Sequence, residues 1–480
     1  MNKKKVLSGV MWRFGERIMA QLVSLIVSIV LARFLLPEDY GSVALVMVFI
    51  NIANVFIASG LGNSLIQKKD ADNVDFSSVF YINIIMSMLI YMVLFFSATY
   101  IARFYSMPIL CPVLRVLAIR IPISAVNSVQ QAYVSKHMMF RLFFWSTLIG
   151  TVISGVVGIV AAYTGYGIWA LVIQDLMNVC IDTIVLWFTV KWRPDFTYSW
   201  KRAKGLISYG WKILVSGLID TGYNELRNLI IGKLYKSSDL AYYNQGDKYP
   251  KLIVVNVNAA ISGVLFPVIS NIQDNSKKVK NMTRSAIMVS SFVIWPLLIG
   301  IGVIAEPLVR LVLTEKWIEC VPFMRVFCFT YGLWPIHVAN LQAIKAIGRS
   351  DLYLKLEVIK KAVGIAALII SVKHGPFVIA CSFIVTDILS TIINAFPNRK
   401  LLNYKYSEQL KDLLPAFLLS IFMGIVIYPI SFFDIPDFLC IVIQILCGGI
   451  VYLAGSVFTK QPGLNFIISI LKDSKKDNAI

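Results

Sequence analysis

Residues 31–41, LARFLLPEDYG, return two hundred positions later as residues 231–241, IGKLYKSSDLA, each stretch closing one apolar run and opening the next. Arg33 falls opposite Lys233, and Asp39 opposite Asp239. A second echo joins QQAYVSKHMMFRLF, from Gln130, to LQAIKAIGRSDLYLK, from Leu341, with Gln131 and Ala132 matching Gln342 and Ala343. One bundle of helices looks to be written twice. Duplicated bundles that rock about a shared midplane site are a frequent architecture of membrane transporters.

Composition agrees with a bundle immersed in lipid. Of the 480 residues, 58% are hydrophobic and only 15% charged, a balance outside that of soluble domains. A spanning helix needs roughly 20 apolar residues, and runs of that length recur along nearly the whole chain. No stretch is left for a soluble enzyme domain. The formal net charge of +19 would suggest nucleic acid in a soluble protein, but here it is concentrated in short loops, as an orientation signal is. Nucleic acid is not an expected partner.

Hydropathy, punctuated by Gly, Pro and charge, predicts helices near 8–35, 40–66, 77–103, 109–134, 142–163 and 168–190. A second set follows near 205–233, 239–270, 283–304, 320–346, 353–372 and 376–396, and then a pair near 412–432 and 438–458. The expectation is an all-α polytopic membrane protein of about fourteen spans, since helices satisfy their own backbone in lipid and open strands do not. It divides into a six-helix lobe at 1–195, a second at 196–400, and an extra helix pair with a cytoplasmic tail at 401–480.

With the amino terminus in the cytoplasm, 29 Lys and Arg fall in inside segments, including residues 3–5 and 472–476, against seven outside: Arg33, Arg103, Lys233, Lys236, Arg310, Lys316 and Lys373. The positive-inside rule then places both termini in the cytoplasm. The first apolar run carries Arg13, Glu16 and Arg17 and ends without a small-residue cleavage pattern, so it reads as a retained first helix.

No catalytic constellation stands out. His137, His337 and His374 lack metal-ligand spacing, the seven cysteines show no CxxC, and there is no GxxxxGK[ST] phosphate loop. The cysteines read as small packing residues, no cofactor or metal is expected, and the chain is not expected to be an enzyme. An integral-membrane transferase would normally show a large polar loop or a carboxylate cluster.

What remains is charge inside the membrane. The predicted spans hold nine bases, Arg13, Arg17, Arg115, Arg120, Lys212, Arg227, Lys248, Lys251 and Arg325, and eight acids, Glu16, Asp175, Asp182, Asp220, Glu225, Asp247, Glu357 and Asp387. A charge facing lipid at the centre of a helix costs roughly 2.5–3.5 kcal/mol even on the lenient scale. A water-filled cavity between the lobes is the economical expectation. Arg13, Glu16 and Arg17 share one helical face, as do Lys248 and Lys251. Glu16 can instead neutralise its neighbours near the surface, where long side chains snorkel. For Lys212, Arg227 and Lys248 a cavity role is favoured over intramembrane pairing with acids such as Glu225 or Asp247.

Residues 32–83, ARFLLPEDYGSVALVMVFINIANVFIASGLGNSLIQKKDADNVDFSSVFYIN, resemble the Wzx-type polysaccharide flippases, near the colanic acid and teichuronic acid exporter branch. Residues 242–273, YYNQGDKYPKLIVVNVNAAISGVLFPVISNIQ, are similar to the seventh-to-eighth helix region of that family. The resemblance spans about residues 5–400. It implies the multidrug/oligosaccharidyl-lipid/polysaccharide exporter superfamily, built from two six-helix lobes, whose lipid II flippase adds a helix pair.

The resemblance implies translocation of an undecaprenyl-diphosphate-linked oligosaccharide to the outer leaflet of a bacterial plasma membrane, with membrane lipid as surroundings and a polysaccharide polymerase and glycosyltransferases as further partners. Arg17, Lys212, Arg227, Lys248 and Lys251 would then bind the diphosphate. Tyr81, Asn83, Gln130, Gln131, Tyr133, Tyr223, Asn224, Tyr243, Asn244, Gln245, Tyr331, Trp334 and Gln342 are candidates for the sugars, against packing or interfacial roles. Glu16, Asp220, Glu225, Asp247, Glu357 and Asp387 are the candidates for ion coupling or ion pairing. A cation-coupled multidrug exporter is the alternative, and a scaffold for glycosyltransferases a third reading. Nine bases against eight acids lean toward an anionic substrate.

Overall fold

The computed structural model describes residues 3–58 and 61–477. Its helices, in chain order, are α1 (Lys3–Phe34), α2 (Pro37–Ala58), α3 (Leu61–Gln67), α4 (Asn73–Tyr105), α5 (Leu110–Leu117), α6 (Arg120–Lys136), α7 (Phe140–Tyr163), α8 (Ile168–Thr189) and α9 (Trp200–Leu234). They continue as α10 (Ser237–Asn271), α11 (Ser276–Val312), α12 (Val321–Tyr331), α13 (Trp334–Ala346), α14 (Ser350–Ser371), α15 (Pro376–Leu401), α16 (Tyr406–Ile427), α17 (Asp437–Phe458) and α18 (Pro462–Asp477). Among the described residues there is no strand, and the all-α expectation holds. Side chains of Arg13 and of the lysines at 3–5 and 472–476 lie outside the described residues.

Among the described residues every expected span falls on helix, two of them as broken pairs, α5 with α6 and α12 with α13; α2 and α3 are described on either side of residues 59–60. Among the described residues, 11 segments are long and apolar enough to cross a membrane, so the expected count of fourteen is not established. The expected spans outside those 11 are 205–233, 320–346 and 353–372. The reasons are physical. Helix α9 carries Lys212, Asp220, Glu225 and Arg227, and α14 carries Lys355, Glu357, Lys360 and Lys361. Helices α12 and α13 carry Arg325, His337, Asn340, Gln342 and Lys345. Helix α18 was not expected; the sequence reads there as a tail.

The duplication appears in the element order. α1 ends at Phe34 and α9 at Leu234, while α2 begins at Pro37 and α10 at Ser237. The fourth span breaks after Leu117 and the tenth after Tyr331. By contacts the chain forms two compact units, Met1–Ala241 and Tyr242–Ile480. That division falls later than the lobe boundary expected at 195/196 because α9 packs on α2, α3 and α4.

Within the first unit, α4 shows how these helices are built for lipid. Ile85, Met88, Leu89, Met92, Val93, Phe96, Tyr100 and Phe104 recur at helical spacing and are exposed. The buried side of α4 carries Phe76, Phe80, Asn83, Ser87 and Ala98. The outward face is apolar and the inward face mixes apolar with polar residues, unlike a soluble helix. Lipid tails remove the hydrophobic drive between such helices, so close packing and interhelical hydrogen bonds must hold them. Helix α7 supplies the first. A Cβ at Gly155 would lie 2.3 Å from Val27 of α1, and one at Gly158 2.6 Å from Gln174 of α8, so these two positions admit the helices on both sides.

In the second unit, Trp295 of α11 is fully buried, with its ring 4.4 Å from that of Phe417 on α16 and 5.9 Å from Phe329 on α12. Arg284 of α11 grips Asp412 of α16 through two nitrogens at 2.8 and 2.6 Å, and Tyr404 donates to the same carboxylate at 2.6 Å. The extra pair is thus fastened to α11. Tyr452 of α17 adds a bond to the Phe292 carbonyl at 2.8 Å.

Candidate functional site

In the first unit, α6 and α8 are joined by two polar rungs. Arg120 Nη1 contacts both oxygens of Asp175 at 2.5 and 2.7 Å, and Asn127 Nδ2 donates to Asp182 Oδ2 at 2.6 Å. The partners of each rung are 55 residues apart, and the rungs are seven residues apart on each helix. Seven residues are two helical turns, so both rungs lie on one face, and the constant offset means that α6 and α8 run in the same direction. A cavity of about 310 Å3 opens beside them, lined also by Asn54, Gln131 and Asn178. Asn54 Oδ1, Asn127 Oδ1 and Asp182 Oδ1 are buried without a hydrogen-bond partner. Glu16 of α1 accepts from Thr147 Oγ1 of α7 at 3.3 Å.

Helix α9 contributes the other charged groups of this unit. Glu225 accepts from Asn51 of α2 at 2.9 Å and from Asn228 at 2.8 Å, so two amides rather than a base hold this carboxylate. Arg227 is buried, with its guanidinium carbon 5.7 Å from the Tyr223 ring centroid. Asp220 is exposed and takes a bond from Asn224 at 3.4 Å. Arg17 and Lys212 are both exposed.

In the second unit the ladder recurs in neutral form. His337 Nδ1 lies 2.9 Å from Asn394 Nδ2, and Asn398 Nδ2 donates to Asn340 Oδ1 at 2.6 Å, joining α13 to α15. Asp247 of α10 is held by Tyr331 of α12 and by Lys251 one turn on, at 3.0 Å. Tyr331 stacks on Phe327 and meets the edge of Trp334 at 4.7 Å. Asp387 of α15 lies within electrostatic reach of the same tyrosine. Glu357 pairs with Lys360 at 2.6 Å.

Around Lys248, which is half-buried, α10 presents unusual chemistry. Asn244 Nδ2, Gln245 Nε2 and Tyr249 Oη are buried without a hydrogen-bond partner. Pro250 follows and cannot donate to the Gly246 carbonyl, which loosens the helix there. Two amide donors and a hydroxyl left open beside a lysine form a surface that accepts an oxyanion.

The expected bases thus distribute over both units: Arg17, Lys212 and Arg227 in the first, Lys248 and Lys251 in the second. Several proposed sugar contacts are engaged in structure. Tyr133 packs with Phe76, Trp192 and His137, Gln130 bonds the Trp192 carbonyl at 3.3 Å, and Asn83 bonds Ser128 at 3.1 Å. The α6–α8 ladder was overlooked as a site; its signal is the seven-residue spacing of Arg120 with Asn127 and of Asp175 with Asp182.

Two loop carboxylates are shifted in their titration. Arg202 beside Asp72 holds that carboxyl below its ordinary range, and Arg349 holds Asp351 at about 2. Both sit at helix starts outside the spans, where they fasten loop to helix.

The sequence profile described as "Polysaccharide biosynthesis protein" matches residues 30–322. The chain belongs to this family. Among similar proteins, the teichuronic acid biosynthesis protein TuaB of Bacillus subtilis is 23% identical, covering 94% of this chain and 95% of that one. The lipopolysaccharide biosynthesis protein WzxC of Escherichia coli is 22% identical over 88% and 89%. In fold, the chain matches the lipid II flippase MurJ with a TM-score of 0.78 at 17% identity, covering 94% of this chain and 99% of that one. An inward-facing multidrug resistance MATE family transporter matches at 0.64 and 16% identity, over 80% and 94%. The family that residues 32–83 and 242–273 resemble is the one found, and the chain is a multi-pass membrane protein with a fold like that of MurJ and the MATE transporter.

Proposed function

We propose that the protein is a flippase that carries a polyprenyl-diphosphate-linked oligosaccharide from the cytoplasmic to the outer leaflet of the bacterial inner membrane, for surface polysaccharide biosynthesis. It works by alternating access of its two repeats, taken as residues 1–195 and 196–400, with the extra pair and tail at 401–480. Both termini are cytoplasmic, by the distribution of Lys and Arg. The observation that carries the substrate class is α10, where Lys248 stands among Asn244, Gln245 and Tyr249 with polar atoms that have no protein partner. A diphosphate offers about two negative charges and many acceptor oxygens to such a surface. Arg227, buried against Tyr223 in the first unit, is a further candidate base for the substrate.

The relatives over most of the chain are polysaccharide biosynthesis proteins, whereas drug exporters enter through likeness of fold, which does not fix a substrate. This favours the flippase over a drug exporter. Chemistry on the glycan falls to other proteins, with glycosyltransferases supplying the lipid-linked oligosaccharide and a polymerase consuming it.

The deciding experiment uses proteoliposomes containing the full chain and a fluorescent polyprenyl-diphosphate oligosaccharide. Wild-type protein should expose the glycan to an outside probe, and Lys248→Glu with Arg227→Glu should abolish this while the protein stays monodisperse. Unchanged flipping in the double variant would overturn the site assignment.

A further inference from the structure

The second unit contains a cavity of about 500 Å3 where α11 ends, α12 begins and α16 turns into α17. Its lining includes none of the groups assigned to the diphosphate. One part of its lining is basic. Arg310 pairs with Glu306 at 2.8 Å and with Glu315 at 3.3 Å, and Arg325 reaches Glu306 at 3.8 Å and the Gly302 carbonyl at 3.2 Å. Glu306 is thus shared by two guanidinium groups. Each has five N–H donors in a fixed fork, so both retain donors for a further acceptor.

Another part of the lining is acidic. Asp434, in the turn after α16, and Asp437, in the first turn of α17, both face the cavity. Among the described residues neither has an ion-pair partner. The rim is aromatic: Tyr428, Phe432 and Phe433 are 45%, 74% and 67% exposed. This turn joins two membrane-length helices and therefore lies at a membrane face, where such rings mark the interface.

We propose that this cavity binds the headgroup of a zwitterionic phospholipid with a primary ammonium group, its phosphate on Arg310 and Arg325 and its ammonium on Asp434 and Asp437. A simple anion would leave the two aspartates unmatched, and a simple cation would leave the spare N–H donors of Arg310 and Arg325 unused. A headgroup carrying both charges a few bonds apart satisfies both sets. A primary ammonium donates three hydrogen bonds to carboxylates, whereas a trimethylated one donates none. The exposed aromatic rim selects a membrane lipid over the soluble headgroup, because it offers the acyl chains an apolar surface beside the cavity.

Native mass spectrometry and thermal melts of the full chain, in nanodiscs or detergent doped with phosphatidylethanolamine, phosphatidylcholine or phosphatidylglycerol, test this. Phosphatidylethanolamine should be retained about tenfold more tightly than phosphatidylcholine, the factor of one charge-assisted contact. Asp434→Asn with Asp437→Asn should erase that preference. Arg310→Gln with Arg325→Gln should weaken both zwitterionic lipids. Asp434→Asn alone alters an exposed side chain and serves as the variant certain to fold; it should reduce the preference in part. Equal retention of all three lipids, or a preference unchanged in the aspartate double variant, would overturn the proposal. So would free phosphoethanolamine binding as tightly as the lipid, or phosphatidylglycerol outcompeting phosphatidylethanolamine.

Discussion

Asp39 and Asp239 perform the same act two hundred residues apart. Asp39 Oδ2 accepts the backbone N–H of Leu36 at 3.3 Å, and Asp239 Oδ2 accepts that of Lys236 at 3.1 Å. Each carboxylate reaches back three residues to an otherwise open amide at the start of α2 or α10, and its charge also suits the positive helix end. The echo in the sequence is therefore a repeated helix start. Asp39→Ala and Asp239→Ala should each lower stability by about 1 kcal/mol, and the losses should add in the double variant. Thermal melts in one detergent check both statements.

Gly41 admits no side chain. A Cβ there would lie 1.7 Å from the Ser237 carbonyl oxygen, a backbone atom that cannot turn aside. Gly41→Ala should sharply reduce folded protein in membranes. Gly222→Ala, on α9, meets nothing within 4 Å, and should be neutral or stabilising by about 0.5–1 kcal/mol through the greater helix propensity of alanine. Fluorescence size-exclusion yields of the two variants compare them directly.

The Arg120–Asp175 rung is about one quarter exposed on each side, so breaking it should cost less than the 3–5 kcal/mol of a fully buried pair. A double-mutant cycle with Arg120→Ala and Asp175→Ala should give a coupling of about 2 kcal/mol. Coupling below about 0.5 kcal/mol would mean that the two side chains are separately hydrated.

Arg349 lowers the carboxyl of Asp351 from 3.8 to about 2. A folded pKa below the unfolded one means that the contribution of Asp351 is complete above about pH 4 and is lost as pH falls toward 2. Both side chains are exposed, so the effect is local. A carbon-13 carboxyl titration should show the low value in the wild type and a return to the ordinary one in Arg349→Gln.

With the cell interior negative, moving about two negative charges outward gains up to roughly 4.6 kcal/mol per 100 mV. Flipping in proteoliposomes should accelerate under an inside-negative potential, and reversal of the potential should slow it. A rate that ignores potential but needs a Na+ or H+ gradient would place the drive instead on carboxylates such as Asp220, Glu225, Glu357 or Asp387.

Much of this fold was legible because apolar run length and punctuation are local signals. Among the described residues all fourteen expected ranges fall on helix, with turns inside 109–134 and 320–346, since a 20-residue apolar run in lipid has one economical backbone. The site was less legible. Lys248 and Lys251 read from spacing as sharing a face, and Lys251 is in fact paired with Asp247, four residues before it. Tyr331 lies 84 residues from Asp247, and no pattern along the chain announces that contact. Glu225, a candidate for ion coupling or ion pairing, rests on Asn51, 174 residues away.

The sequence by itself determined the class, the repeat and the family, because hydropathy, the helix start at 39 and 239, and the stretches at 32–83 and 242–273 are all written in consecutive residues. Only the tertiary structure decided which charges are matched and which are left open. Asp175 takes Arg120 and Asp412 takes Arg284, while the polar groups around Lys248 keep unfilled valence. Pairing between helices depends on rotation and depth in the bundle, and in lipid those are set by where small residues such as Gly155 and Gly158 make room for a neighbouring helix's side chains.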